Sequence, residues 1–180
     1  YPFPNTEFKI IDINTKKETP LEEDGELIIS GPNIMLEYLD EPEETKNTLF
    51  QMDGKTWLHT GDIACVDKRG LFHYKSRLKR MIITSGYNVY PSHVEEILTN
   101  HEAILKCAVI GIKNESKGEI VKAFIVLREG YNNLLTKSNI QKYMKENLAK
   151  FEIPREIRYI DDLPTTLVGK IAYKELEKMD

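Results

Sequence analysis

Four short stretches hold residue types that act on anions and hydroxyls. Near the carboxy end, "LPTTLVGKIAYKEL" (163–176) sets Lys170 after a glycine, in a segment too polar to be core. One reading is a turn before a last helix. The other is a lysine on a mobile tip, delivered to an anionic reaction centre. "HTGD" (59–62) has Gly61 for a tight backbone and Asp62 pointing a carboxylate from the end of a strand. Each carboxylate oxygen accepts a hydrogen bond from one of two vicinal hydroxyls, which is how acidic residues hold a ribose. Taken alone, the tetrapeptide fits a locally satisfied turn better. "SRLKRM" (76–81) offers Arg77 as a planar fork of donors and Lys79 as a compact charge, or simply a solvated basic edge. "TSGYNVYP" (84–91) holds Gly86 and Asn88 in a loop able to lay backbone amides against a thin ligand, or merely to connect into the next helix.

Other chemistries are excluded by spacing. "VGKI" ends like a phosphate loop, but Pro164 stands where its first glycine is required and Ile171 where a metal-binding Ser or Thr is required. His59, His73, His93 and His101 show no ligand spacing, and no GxSxG elbow is present, so no metal held by side chains is expected. Cys65 and Cys107 belong to no CxxC pair, which favours a reducing, cytoplasmic home.

The elements that must position these residues follow from pattern. "EFKIID" (7–12) and "ELIIS" (26–30) are Ile-rich and bounded by turn residues, so both read as strands. "PEETKNTLF" suits a short helix with Pro42 near its start. "TWLHTGDIACVDKRGLFHYK" reads as two strands joined at "DKRG". Further on, Ser92-x-x-Glu95 matches a capping box ahead of the apolar stripe Val94, Ile97, Leu98. "KCAVIGI" and "KAFIVLRE" read as buried strands, "SNIQKYMKENLAKF" as a helix with Ile140, Met144 and Leu148 on one face, "REIRYI" as a strand and "GKIAYKELEKM" as a short helix. The fold class is therefore α+β. A small all-β, barrel-like unit covers 1–76, and a compact α+β domain with a central sheet flanked by helices follows a boundary at 77–79.

The 180 residues are 41% hydrophobic and 30% charged with a net charge of −4, an ordinary globular composition without the basic excess of a nucleic-acid binder. No apolar run is long enough to span a membrane. The chain opens mid-pattern on Tyr1, so a longer protein is expected.

Together and in order, "WLHTGD", "SRLKRMIITSGYNVYPSHVEEIL" and "FEIPREIRYIDDLPTTLVGKIAYKEL" resemble the adenylate-forming (AMP-binding) superfamily. That group contains acyl- and aryl-CoA synthetases, peptide-synthetase adenylation domains and beetle luciferases. "SGYNVYPSHVEEIL" is most similar to the fatty-acyl-CoA ligase branch. The resemblance implies that 1–76 is the last β subdomain of the large adenylation domain, 77–79 a hinge, and 80–180 the mobile C-terminal domain. It implies ATP, with its Mg2+, and CoA as cosubstrates, and a carboxylic acid, fatty in kind, as substrate. Asp62 and Arg77 would hold the ribose, with Tyr74 near the nucleoside. Lys79 would be the pivot. Ser85, Gly86, Tyr87 and Asn88 would line the tunnel for the CoA arm and contact substrate. Lys170 would reach the acyl carboxylate and the α-phosphate.

Three positions depart from the family pattern: Ser76 where Gly or Asp is usual, Val168 where Ser or Thr precedes Gly-Lys, and Arg80 where an acidic residue is frequent. Ser76 is expected to cap locally, loss of the hydroxyl at 168 puts the order of the lysine loop in question, and Arg80 is expected to alter the hinge electrostatics. The family's phosphate loop, adenine motif and acyl pocket lie in the missing large domain, so this chain alone is expected neither to adenylate nor to bind ATP tightly. An adenylation domain that loads a carrier protein, or a non-catalytic module of the same fold, are the competing expectations.

Overall fold

The computed structural model describes residues 3–131 and 133–179. The chain divides into two compact units, Tyr1–Lys79 and Arg80–Asp180.

In the first unit, strands β1 (Glu7–Ile11), β2 (Gly25–Ser30), β3 (Leu49–Met52), β4 (Lys55–Val66) and β5 (Phe72–Arg77) form one antiparallel sheet. Twelve-residue β4 is its spine: β2 pairs along one edge, while β3 and β5 share the other. The sheet curls enough for Phe8 of β1 and Phe72 of β5 to meet edge to face, with centroids 6.2 Å apart, although the two strands are not ladder neighbours. That curl makes the unit barrel-like without closing it. Ile11, Ile28 and Trp57 form its core, with Phe50 and Met52 against them, and the Trp57 indole donates to the Met52 carbonyl at 3.1 Å. Helix α1 (Pro42–Thr48) buries none of its residues.

The β4–β5 connection is held by one carboxylate. Asp67 accepts from the Arg69 and Leu71 amides, both at 2.9 Å, and from the Arg69 guanidinium and His73. These partners, His73 foremost, hold its carboxyl well below the usual range.

The second unit is built on the long hairpin β8 (Ile104–Asn114) and β9 (Gly118–Leu127). Strand β10 (Glu156–Tyr159) runs parallel to β9, and the small hairpin β6 (Ile82–Thr84) and β7 (Tyr87–Val89) joins through Thr84 and Gly118. Because successive side chains point to opposite faces, the near-continuous apolar runs of β8 and β9 bury both faces. Cys107, Val109, Val121, Ala123 and Ile125 pack under helices α2 (Pro91–Thr99) and α3 (Asn133–Asn147) with Leu98, Ile140 and Met144. Ala108, Ile110, Phe124 and Val126 pack on the other face against Leu163 and Leu176, the latter from α4 (Tyr173–Glu177).

Two local expectations are corrected. Helix α2 takes Tyr90 as its N-cap residue and Pro91 as its first turn, with no side-chain cap. Proline's fixed φ and missing N–H suit that position, so Ser92 lies inside the helix and Glu95 is free to turn elsewhere. The last helix is only five residues, and Gly169 and Lys170 precede it. No described helix is long and apolar enough to cross a membrane.

Candidate functional site

Asp62 does not end a strand. It sits within β4, where the register against β2 shifts between Glu26 and Ile28, leaving Thr60–Asp62 as a bulge opposite Leu27. Gly61 takes φ +69 there, a left-handed backbone that side chains resist. The Thr60 hydroxyl donates to the Leu27 carbonyl at 2.7 Å and accepts from the Asp62 amide at 3.1 Å, so the bulge is closed from within. A bulge re-aims its side chains. Here it presents Asp62 to Arg77, its register partner on β5. Arg77 Nε lies 3.0 Å from Asp62 Oδ1, and Nη1 donates to the Thr60 carbonyl at 2.9 Å. The guanidinium is more than half exposed and the carboxylate a quarter exposed. A fixed acceptor beside a fixed donor fork matches a vicinal diol next to a phosphate. Tyr74, on the same strand as Arg77, is exposed. Ser76 does not cap: it is fully buried, and its hydroxyl has no partner among the described residues.

Lys79 lies exposed in a 3-10 turn, Leu78–Arg80, where the chain passes from the first unit to the second. Arg80 belongs to the second unit and pairs there with Glu95.

The segment 85–88 is a tight hairpin rather than a loop. Thr84 pairs with Tyr87, leaving Ser85 (φ 51) and Gly86 (φ 83) as a two-residue turn of left-handed backbone. That is the conformation of the favoured hairpin turn, and it explains the glycine, since a Cβ at Gly86 would meet only open space. Tyr87 and Asn88 stand in β7, both exposed. The Tyr87 ring stacks on Phe151 at 4.6 Å and 10°. Beside this pair lies a cleft of about 230 Å³ that also receives Ser85, Lys117, Lys150 and Arg155. Cationic side chains beside aromatic faces suit a phosphorylated, ring-bearing ligand. Motif reading missed Lys117, Lys150, Phe151 and Arg155. They converge from the β8–β9 turn and from the segment between α3 and β10, and no spacing in the sequence announces that.

Lys170 closes a turn. Thr165 bridges Ile171, the Thr166 amide donates to the Lys170 carbonyl at 2.7 Å, and the Gly169 amide donates to the Thr166 carbonyl at 2.9 Å. The Lys170 amide donates to the Thr166 hydroxyl at 3.2 Å. The hydroxyl missing at 168 is thus supplied at 166, and the loop has its order. Leu167, Val168 and Lys170 are exposed, and the Lys170 ammonium has no partner among the described residues.

The structure therefore joins Asp62 to Arg77 within the first unit. It seats Ser85–Asn88 and Lys170 on separate turns of the second.

Residues 93–170 match the family model for the AMP-binding enzyme C-terminal domain. Over 162 residues the chain is 39% identical to the 3-[(3aS,4S,7aS)-7a-methyl-1,5-dioxo-octahydro-1H-inden-4-yl]propanoyl:CoA ligase of Mycobacterium tuberculosis, covering 90% of this chain and 31% of that protein. Over 175 residues it is 38% identical to the long-chain-fatty-acid–CoA ligase of Bacillus subtilis, covering 97% and 30%. Its fold superposes with a TM-score of 0.86 on the o-succinylbenzoate CoA synthetase of Bacillus subtilis, solved with its acyl-adenylate intermediate, at 30% identity over 98% of this chain and 34% of that one. The chain thus spans about a third of the length of the curated relatives it matches.

Proposed function

We propose, for a chain that belongs to the adenylate-forming (AMP-binding) superfamily, that it is the carboxy-terminal part of an AMP-forming acyl-CoA synthetase. In the whole protein a carboxylate oxygen of the acid, fatty in kind, attacks the α-phosphorus of ATP. The bond to the bridging oxygen breaks, and pyrophosphate leaves. The thiolate of CoA then attacks the acyl carbon, and AMP leaves. The long-chain ligase of Bacillus subtilis supports the fatty acid, and the o-succinylbenzoate enzyme's adenylate supports the intermediate.

Each cluster has a task in this scheme. Asp62 accepts from the ribose hydroxyls while Arg77 donates beside it, with Tyr74 near the nucleoside. Lys170 stands between the acid and the α-phosphate, two anions whose approach needs a cation. The Ser85–Asn88 hairpin guides the thiol arm, and the cleft at Lys117, Lys150 and Arg155 takes the phosphorylated end of CoA. Lys79 is the pivot that exchanges the lysine turn for the hairpin. The Mg2+ that travels with ATP would be held mainly by the large domain. Two buried free cysteines fit a reducing, cytoplasmic setting. Without the remaining two thirds of its relatives' length, the chain by itself is expected to release no AMP.

The observation that carries this reading is Lys170: an exposed ammonium, unneutralised among the described residues, on an internally closed turn. In the full-length protein, Lys170→Ala should slow adenylation by roughly 10²–10³-fold, the usual loss for one charge stabiliser. Thioester formation from supplied acyl-adenylate should survive. Equal damage to both half-reactions would refute the assignment.

A further inference from the structure

Arg80 opens the second unit, directly after the residue assigned as the pivot. Its guanidinium does not face solvent alone. Nη2 donates to Glu95 Oε1 at 2.6 Å, and the guanidinium carbon lies 3.8 Å above the centre of the Tyr173 ring. Tyr173 closes the triangle, its hydroxyl donating to the same Glu95 oxygen at 3.2 Å. The Val109 amide of β8 donates there too, at 2.9 Å, which anchors the triangle to the central sheet.

Tyr173 is the first residue of α4, three positions after Lys170. The intervening chain has little freedom. Ile171 bridges Thr165, and the Ala172 amide donates to the Pro164 carbonyl at 2.8 Å. Ile171 and Tyr173 also pack against the core cluster that holds Leu163 and Leu176. A path of fixed contacts therefore runs from residue 80 through the Tyr173 ring to the base of the lysine turn.

We propose that Arg80, Glu95 and Tyr173 form a clamp that couples the pivot to the lysine turn, with Arg80 and Tyr173 acting as positioning residues for adenylation. This rests on the role given to Lys170 above. A flexible lysine is useful only if its stem starts from a reproducible place, and small misplacements of a reacting group are costly. The clamp sets that place relative to the hinge, so the swing about Lys79 ends with the ammonium on the α-phosphate. The same clamp has no task when the hairpin of 85–88 faces the site instead.

The test uses the full-length enzyme and measures two rates separately: acid-dependent exchange of pyrophosphate into ATP, and thioester formation from supplied acyl-adenylate. Arg80→Met removes the charge, and Tyr173→Leu removes the ring face while keeping apolar bulk. Each should lower kcat for exchange by roughly tenfold to a hundredfold, a misplacement effect, with KM for ATP and acid nearly unchanged. Thioester formation should stay within about twofold in both variants, since it does not use the coupled residue. The double variant should be little worse than either single one, because both break one path. Arg80→Lys, which restores the charge, should recover part of the loss. Equal loss in both half-reactions, or multiplying effects in the double variant, would mean that the cluster only stabilises the fold. If Lys170→Ala slows exchange while Arg80→Met and Tyr173→Leu do not, the clamp alone is wrong. If Lys170→Ala leaves exchange intact, the adenylation reading itself falls.

Discussion

Glu95 and Glu96 are adjacent on α2, yet their truncation should have very unequal consequences. One oxygen of Glu95 takes the Arg80 guanidinium, the Val109 amide and the Tyr173 hydroxyl. Its side chain is 16% exposed and that of Arg80 24%. Burial pushes the Glu95 carboxyl above its ordinary pKa, and Arg80 pulls it back. Glu95→Ala strips all of these partners of their acceptor. A buried amide left unpaired costs about 1–3 kcal/mol, and Val109 is only 1% exposed. Losing one side of a fully buried ion pair costs about 3–5 kcal/mol, which the residual exposure of Arg80 reduces. The terms overlap, so the expected cost is about 2–4 kcal/mol, or roughly 5–15 °C in Tm for a chain of this size. Glu96 is exposed, so Glu96→Ala should stay within about 0.5 kcal/mol. Urea unfolding followed by far-ultraviolet circular dichroism is the assay, because α2, α3 and α4 all lie in Arg80–Asp180. Glu95→Gln, which keeps an acceptor for Val109, should fall between the two. If Glu95→Ala costs no more than Glu96→Ala, the coordination of Glu95 is not what holds this corner of the unit.

Two further outcomes follow from the same geometry. Asp67 has its folded pKa depressed by His73 and the Leu71 amide, so its contribution is present above the ordinary value of 3.8 and is lost as pH falls through the lower folded value. The stability gap between the native chain and Asp67→Asn, read by urea midpoints, should therefore be constant near neutrality and shrink only in acid; a gap that grows as pH falls would contradict this. Lys79→Pro in the full-length enzyme removes the freedom of φ at the assigned pivot. It should slow thioester formation far more than pyrophosphate exchange, and the reverse order would remove Lys79 from that role.

The local pattern carried much of this molecule. The unbroken apolar runs inside "KCAVIGI" and "KAFIVLRE" require burial on two faces, and β8 and β9 are covered on both. The order of the "HTGD", "SRLKRM", "SGYN" and "VGKI" segments was enough to mark the resemblance to the adenylate-forming superfamily, in line with the family model and the relatives. One cap and one strand end were misread where competing local rules met. The Ser92–Glu95 spacing fits a cap, but the proline before it fits the first turn better, and that freed Glu95 for Arg80. "HTGD" looked like a strand's end, but pairing with both β2 and β5 carries β4 through it as a bulge.

Period and propensity reach only a few residues along the chain. Convergence of residues distant in sequence depends instead on strand pairing and packing. The fork of Arg77 meets Asp62 only because β5 pairs with β4 in that register. Lys117, Lys150 and Arg155 meet beside the Tyr87–Phe151 stack only once the sheet has formed. Arg80 finds Glu95, 15 residues further on, and Tyr173, another 78 beyond that, because α2 and α4 both pack against β8. Residue types and their order determined which family this chain resembles and which side chains are candidates for its chemistry. Long-range pairing decided which of those residues touch, because a contact between distant positions gains its energy only after the intervening chain has been ordered.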